Sequence, residues 1–512
     1  VNSLLEILLS AAYASLFLLL IGRWRFFRIG GIPVRWFQGV FVLKVASGIA
    51  LNLIYTYYYT DRTTADIWKY FDDGLVMHSA LREHPMDYVQ MLFGVMNDSP
   101  HFDQYYNAMG HWYRPYGTGV SNDTHTIIRF NAAARLISFG FYNVHSVLVN
   151  FFGLVGLTGI FHVLRQMDVS KERWFFAAVF LTPGMLFWGS GVLKEPLLLF
   201  GLGAFLYVVM RWMNDGFTAK YLPLALGALV VLVTVKSYAL MAIVPGVLAW
   251  KLSQRLPKMP MALVFFGSYA VGGLLALGVG VLLPQHNMLQ RLSEKQREFN
   301  QLASGGTYVT QTVAPHDTVY IPSEFYPNLV FDGNKKQVEI TSPIEATRWN
   351  EAYLPNAVRH PLPINARYTV LLDYGKTGSK INIPTLDGSL ASFVAAMPMA
   401  MVNAMFRPFP ADINSPFMLM AAAENMLLVV LLIAMMLRFQ SSALRHPVLW
   451  LSLCFAVVIL LLTGLVTPVV GAIVRYKVPA LPFLFCAIIA LTRTTDIERF
   501  FAAKFPFHQK YL

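Results

Sequence analysis

The feature that most constrains this chain is a series of apolar runs, each near 20 residues, separated by short polar loops. A helix rises 1.5 Å per residue, so about 20 apolar residues cross the roughly 30 Å hydrocarbon core of a bilayer. The clearest runs are 4–21, 37–60, 261–283, 417–437 and 448–465. Counting the less uniform ones, eleven spans are expected. The fourth runs from the basic loop 165–173 to Trp188, and the sixth and seventh part at Lys236-Ser-Tyr238. The fold class this predicts is an all-α polytopic membrane protein.

Composition agrees: 56% of the 512 residues are hydrophobic and 13% charged. The net charge of +12 is no nucleic-acid signal, because the cations cluster in short loops between runs and no recognition motif accompanies them. Arg23, Arg25, Arg28 and Arg35 place the first loop on the cytoplasmic side. The N-terminus is then expected outside and the C-terminus inside, with the first run, which lacks a basic flank and a cleavage site, retained as a span. Cys454 and Cys486 lie in different apolar runs, so no disulfide framework is implied.

Three regions follow: a transmembrane part, 1–283, with an outer loop at 61–140; an outer segment, 284–388; and an interfacial stretch plus further spans, 389–512. In the second region residues 287–302 are expected to be helical. Residues 318–322, 336–341 and 368–374 alternate apolar and polar side chains and read as strands, with a turn at 375–378 leading to a strand at 380–383. This predicts a small, mostly-β insert of about 70 residues, a surface for a protein partner. Residues 389–416 are expected to stay on the outer face, as an interfacial or re-entrant element.

Directly after the second run comes Asp61-Arg-Thr-Thr-Ala-Asp66-Ile-Trp-Lys-Tyr70-Phe-Asp72-Asp73-Gly74, four carboxylates in 14 residues. On a helix Asp66, Tyr70 and Asp73 share a face at i, i+4 and i+7. Asp72 is expected to pair with Lys69, three residues before it. A solvated interfacial helix would show the same pattern. What separates the two is the company the stretch keeps. Alternation puts Lys194-Glu195, Lys236, Arg407, Glu424 and Arg475-Tyr476 on the same outer face. Ionisable residues at such depth are costly and mark cavities, although lysines also snorkel and pair locally. Arg407-Pro-Phe-Pro410 and Arg475-Tyr-Lys-Val-Pro479 are rigid corners whose guanidiniums suit a phosphate. Glu424, inside a span, needs a cation, with Arg407 or Arg475 as candidates. His78, His84, His101, His111, His125 and His145 show no metal-ligand spacing and read as surface histidines. Asn122-Asp-Thr124 is a glycosylation sequon of the kind that arises by chance.

Taken together, Asp66-x-x-x-Tyr70-x-x-Asp73-Gly74 after an early span, Ser190-Gly-x-x-Lys194-Glu195, Arg407-Pro-Phe-Pro410 and Arg475-Tyr-x-x-Pro479-x-x-Pro482 resemble GT-C-type membrane glycosyltransferases. The likeness is to the bacterial dolichyl-phosphate-mannose:protein mannosyltransferase-like group. It covers residues 61–482. The expected N-out start and the β insert depart from that family. The resemblance implies a multi-pass enzyme of the bacterial inner membrane. It would pass a sugar, with inversion, from a polyprenyl-phosphate donor to a glycan, lipid or protein acceptor on the outer, periplasmic face. By analogy Asp66 is the first candidate base, Asp73 its partner or a metal ligand, and Asp61 the next candidate. Lys194, Lys236, Arg407 and Arg475 would meet the donor phosphate. Glu195 and Glu424 would orient those cations, with Tyr70 and Tyr476 supporting. Asp72 and Asp73 could share a divalent cation. Three rivals remain: a polysaccharide polymerase or ligase using lipid-diphosphate-linked glycans, a transporter or flippase, and a non-enzymatic scaffold presenting the insert.

Overall fold

The computed structural model describes residues 2–59, 62, 65–112, 122–311, 318–333, 337–348, 358–413 and 415–494. Its helices are, in chain order, α1 (Asn2–Arg23), α2 (Val34–Tyr57), α3 (Asp66–Glu83), α4 (Pro85–Phe93), α5 (Asp103–Tyr106) and α6 (Asp123–Ser138). Then come α7 (Tyr142–Leu164), α8 (Glu172–Phe180), α9 (Pro183–Phe187), α10 (Lys194–Asp215), α11 (Leu222–Arg255) and α12 (Met261–Leu282). The remainder are α13 (Met288–Ser304), α14 (Leu390–Phe406), α15 (Pro416–Leu437), α16 (Pro447–Val466), α17 (Val470–Tyr476) and α18 (Leu481–Ala490).

Among the described residues nine helical stretches are long and apolar enough to cross a membrane, against the eleven expected. Two local breaks account for the difference. The expected fourth span is two short helices: Pro183 opens α9, and Thr182 before it is extended (φ −62°, ψ 135°), because a proline's Cδ disfavours helical backbone at the preceding residue. The expected sixth and seventh spans are one helix, α11, interrupted only where Lys236 takes extended backbone (φ −153°, ψ 81°). At 17 residues, α14 falls short of a span.

The chain divides into two compact units. The first comprises Val1–Tyr269, Met426–Ile459 and Val478–Leu512, and the second Ala270–Asn425 and Leu460–Lys477. In the first, α7 and α10 meet through glycines. A Cβ on Gly203 would lie 1.8 Å from the Gly156 carbonyl oxygen, and one on Gly156 would lie 2.2 Å from the Leu199 oxygen. Backbones this close gain dispersion contacts that lipid cannot replace, which is how apolar helices associate in a bilayer.

The second unit carries the β insert. Its strands are β1 (Gly306–Thr310), β2 (Val319–Pro322), β3 (Leu329–Phe331), β4 (Gln337–Ile340), β5 (Ile344–Arg348), β6 (Arg359–Leu362) and β7 (Arg367–Tyr374). They form one sheet in the order β3-β4-β7-β1-β2-β5-β6, antiparallel throughout. Val309, Ile321, Val338, Ile340, Ala346 and Tyr368 build a core of its own. The strands expected at 318–322, 336–341 and 368–374 correspond to β2, β4 and β7, with Lys336 outside the described residues. The strand expected at 380–383 is absent. Lys380 makes only an isolated bridge to Val469, since the turn does not bring the segment back beside β7. Gln296 of α13 ties the unit together, donating to the carbonyls of Pro384 (2.9 Å) and Leu465 (2.6 Å) and accepting from the Leu386 amide (2.9 Å).

Candidate functional site

The site in the first unit is assembled from three helix ends and one helix break. At the start of α6, the Asn122 side chain accepts from the amides of Thr124 (2.9 Å) and His125 (3.3 Å). Asp123 therefore occupies the first helical position, where the exposed amides favour a negative charge. Lys194 opens α10, and its ammonium sits 3.0 Å from Asp123 Oδ1 and donates to Thr124 Oγ1 at 3.0 Å. Lys236, at the break in α11, reaches the other carboxylate oxygen, Oδ2, at 2.8 Å. The Lys194 ammonium also stands 5.0 Å from the centre of the Tyr70 ring. Asp66, one turn earlier on α3, adds a second negative charge that acts on Lys194. Two lysines thus share one bridging carboxylate, and side-chain exposure rises from 10% at Lys194 to 18% at Lys236 and 32% at Asp123. The cluster is open on the Asp123 side.

Lys194 is presented by a bend that the sequence reveals only as Gly189-Ser-Gly191. The bend is stapled from two spans. Lys44 of α2, fully buried, donates to Gly189 O (2.6 Å) and Ser190 Oγ (3.1 Å), and Asn150 of α7 donates to Ser190 O (2.8 Å). Glycine is required at the crossing position of α2, where a Cβ on Gly48 would meet Ser146 Oγ at 2.4 Å and Ser190 O at 2.5 Å.

The acidic stretch divides differently from its sequence pattern. Asp73, buried, accepts from the amides of Gly110 (2.9 Å) and His111 (2.8 Å) and so pins that stretch of chain to α3. Asp72 does not pair with Lys69. It takes a bidentate bond from Arg62 at 2.8 and 2.6 Å, while Arg62 lies 4.0 Å over the Trp68 ring. Lys69 lies instead 3.8 Å from Asp66, its i−3 neighbour. The planar guanidinium fork matches a carboxylate better than an ammonium can. Asp72 and Asp73 therefore have separate partners, and no group of three His, Cys, Asp or Glu side chains among the described residues could hold a metal. Asp61 lies outside the described residues. Glu195 is buried in the first turn of α10.

The expectation of surface histidines fails at two positions. His145 is buried between Ser138 Oγ (2.6 Å) and Asn131 Oδ1 (2.8 Å). His125 is fully buried and stacked on Trp112 at 3.6 Å. His145 becomes a core residue because α7 packs against α6, and His125 because the chain at Trp112 folds back over α6. The residues of the first unit missed from sequence were Asp123, Thr124 and Lys44. A capped helix start at Asn122-Asp123 and a lone lysine inside an apolar run were the available signals.

Burial alone would raise the Asp123 carboxyl, but Lys236 and Lys194 outweigh it and hold it well below the usual carboxylate range. A depressed carboxylate contributes stability above its unfolded value near 3.9, lost only as pH falls through the lower folded value. The cluster should thus stay ionised throughout mild acid. His125 behaves oppositely. Burial first, then Arg129, lower it to about 3 against the pull of Asp123, with Lys194 adding the smallest push. Below an unfolded value of about 6.5 the unfolded chain takes the extra proton, so stability declines from there toward pH 3 by up to about 1.4 kcal/mol per unit. We expect His125→Phe, which keeps the stack, to show a smaller loss of melting temperature between pH 7 and pH 5 than the parent. An identical loss would remove His125 from the account.

In the second unit the charged groups form a separate set. Arg407 donates to Asp412 Oδ1 (2.6 Å) and Asn403 Oδ1 (3.0 Å) and lies 4.8 Å from the Phe409 ring centre. Asp412 also accepts from the Phe409 amide at 2.8 Å. That guanidinium is matched locally by a corner of its own making. Lys477, buried and passed over in the sequence, donates to Asn425 Oδ1 at 2.6 Å and feels the charge of buried Glu424. Arg475 lies in the last turn of α17, and the Tyr476 ring is 6.2 Å from that of Phe299. Compared with family models, curated proteins and solved structures, the chain matches none.

Proposed function

We propose that the protein is a polytopic membrane glycosyltransferase that takes a sugar from a polyprenyl-phosphate donor. The observation that carries this is the pair of lysines on one carboxylate beside Asp66 and Tyr70. Two ammonium groups converge on one partly exposed carboxylate, a place suited to a phosphate, and Asp66 supplies a carboxylate close by. In this scheme Asp66 accepts the proton of an acceptor hydroxyl as that oxygen bonds to the anomeric carbon. The bond from that carbon to the phosphate oxygen breaks, and Lys194 and Lys236 receive the charge left on the polyprenyl phosphate. Asp73 positions the loop from which the acceptor would approach. The acceptor would be a glycan, lipid or protein on the outer face of a bacterial inner membrane, with the N-terminus outside and the C-terminus inside.

Membranes carrying the protein, supplied with polyprenyl-phosphate-linked radiolabelled hexoses, test this. Asp66→Asn is expected to lower transfer about 10²- to 10⁴-fold, the usual worth of a general base, with donor retention unchanged. Full transfer by Asp66→Asn rules out the assigned base. Products lengthened by whole oligosaccharides from lipid diphosphates would instead favour a polymerase acting through the same lysines.

A further inference from the structure

Helix α4 is amphipathic in an unusual sense for an outer loop. It turns Asp87, Tyr88 and Met91 inward and exposes Met86, Val89 and Phe93 at i, i+3 and i+7, with Phe93 67% exposed. After the left-handed Gly94 (φ 69°), Val95 and Met96 continue the same apolar surface, Met96 being 81% exposed. The helix is fixed on α6 by two bonds: Arg129 Nε donates to Met91 O at 2.9 Å, and Tyr88 OH to Ala132 O at 3.2 Å. The end of α6 exposes three more apolar residues, Leu136, Ile137 and Phe139. So many exposed large apolar side chains on two packed helices need a covering partner.

The depth of α6 identifies that partner. The Tyr13 hydroxyl of α1 donates to the carbonyl of Ile137 at 3.0 Å, and Leu9, Tyr13 and Phe17 pack against Ala134, Val144 and Leu148. Tyr13 lies within the apolar span Leu4–Arg23. At 1.5 Å per residue it is about 13 Å along the axis from Leu4 and about 15 Å from Arg23. The Asn143 amide donates to Glu6 Oε1 at 2.9 Å, so the end of α6 lies beside the first turns of that span, and the Phe130 ring lies 6.2 Å from that of Phe152, so α6, with α4 on it, runs back alongside the apolar stretch Tyr142–Met167. The outward surface of α1 beside it, with Leu8 and Leu16 exposed, is of the same character. We propose that α4 and the end of α6 are seated in the outer leaflet, with Met86, Val89, Phe93, Met96, Ile137 and Phe139 against lipid acyl chains. The outer loop is then a membrane-embedded platform. Exposed Arg82, Glu83 and His84 at the head of α4 mark its headgroup edge, as amphipathic helices in an interface require. This placement rests on geometry and holds whatever reaction the protein performs.

Nitroxides placed at Phe93→Cys, Met96→Cys and, as a polar control, Arg82→Cys in the full-length protein in liposomes test it. Cys454 and Cys486 are buried and do not compete for label. Oxygen concentrates in the bilayer and a nickel chelate in water. The expected result is an oxygen-to-nickel accessibility ratio at 93 and 96 several-fold above that at 82, with broadening of both signals by oxygen. Nickel access at 93 and 96 equal to that at 82 overturns the proposal. So does protection from both agents, whether with spin–spin broadening from a second copy or without it from another protein. If Phe93→Cys fails to fold, Met96→Cys lies outside the helix and gives the same discrimination. Quenching of a bimane at 96 by lipids brominated along the chain repeats the measurement without a nitroxide.

Discussion

Asp123→Asn is expected to lower sugar transfer at least a hundredfold and to destabilise the first unit by about 2 kcal/mol, part of the 3–5 kcal/mol for breaking a fully buried pair because this cluster is partly open. The reason is the shape of the cluster. One carboxylate bridges Lys194 at 3.0 Å and Lys236 at 2.8 Å. An amide keeps the volume but withdraws the negative charge that both ammonium groups share. A second substitution separates the structural from the functional consequence. Asp123→Asn with Lys236→Met removes one of the two converging cations, so the double variant should recover melting temperature but not transfer, a coupling that double-mutant comparison reads directly. If the single variant transfers normally, the lysines do not need their bridge and the site lies elsewhere.

Among the described glycines, Gly203→Ala brings a methyl closest to another stretch of backbone and should be strongly damaging. Its Cβ would fall 1.8 Å from Gly156 O and 2.5 Å from Gly156 C, backbone atoms that no side-chain rotation can move aside. Separating α7 from α10 would undo the contact that carries Lys194 at the head of α10. Overpacking of this kind costs about 1–3 kcal/mol where side chains can yield, and more where only backbone can. The check is detergent-solubilised yield and thermal midpoint, with Gly227→Ala as the control, because nothing lies within 4 Å of a Cβ there. Equal midpoints for the two variants would mean that α7 and α10 are not in backbone contact.

The site was half legible. The acidic stretch, Lys194-Glu195 and Lys236 are visible because ionisable residues stand out against apolar runs, and Asp66 and Tyr70 do share a face toward Lys194. Asp123 was hidden inside what reads as a sequon, and Lys44 is a single lysine in an otherwise apolar run, with nothing nearby in sequence to give it a role. Arg407 reads as a free guanidinium until Asp412, five residues on, is seen to hold it.

The sequence by itself determined the mostly helical class, most of the helices long and apolar enough to cross a membrane and the strands β2, β4 and β7, because hydropathy and its period are local properties that a short window records. Only the tertiary structure decided that nine stretches and not eleven are span-like among the described residues, that Arg62 and not Lys69 takes Asp72, and that Asp123 joins two lysines 71 and 113 positions away. Ion partners follow from which helix ends packing brings together, and that packing is set by glycines such as Gly48 and Gly203, whose role shows only when two backbones meet. The apolar runs with which the chain announces itself therefore specify where its helices are. The charges between them acquire partners only once those helices are packed.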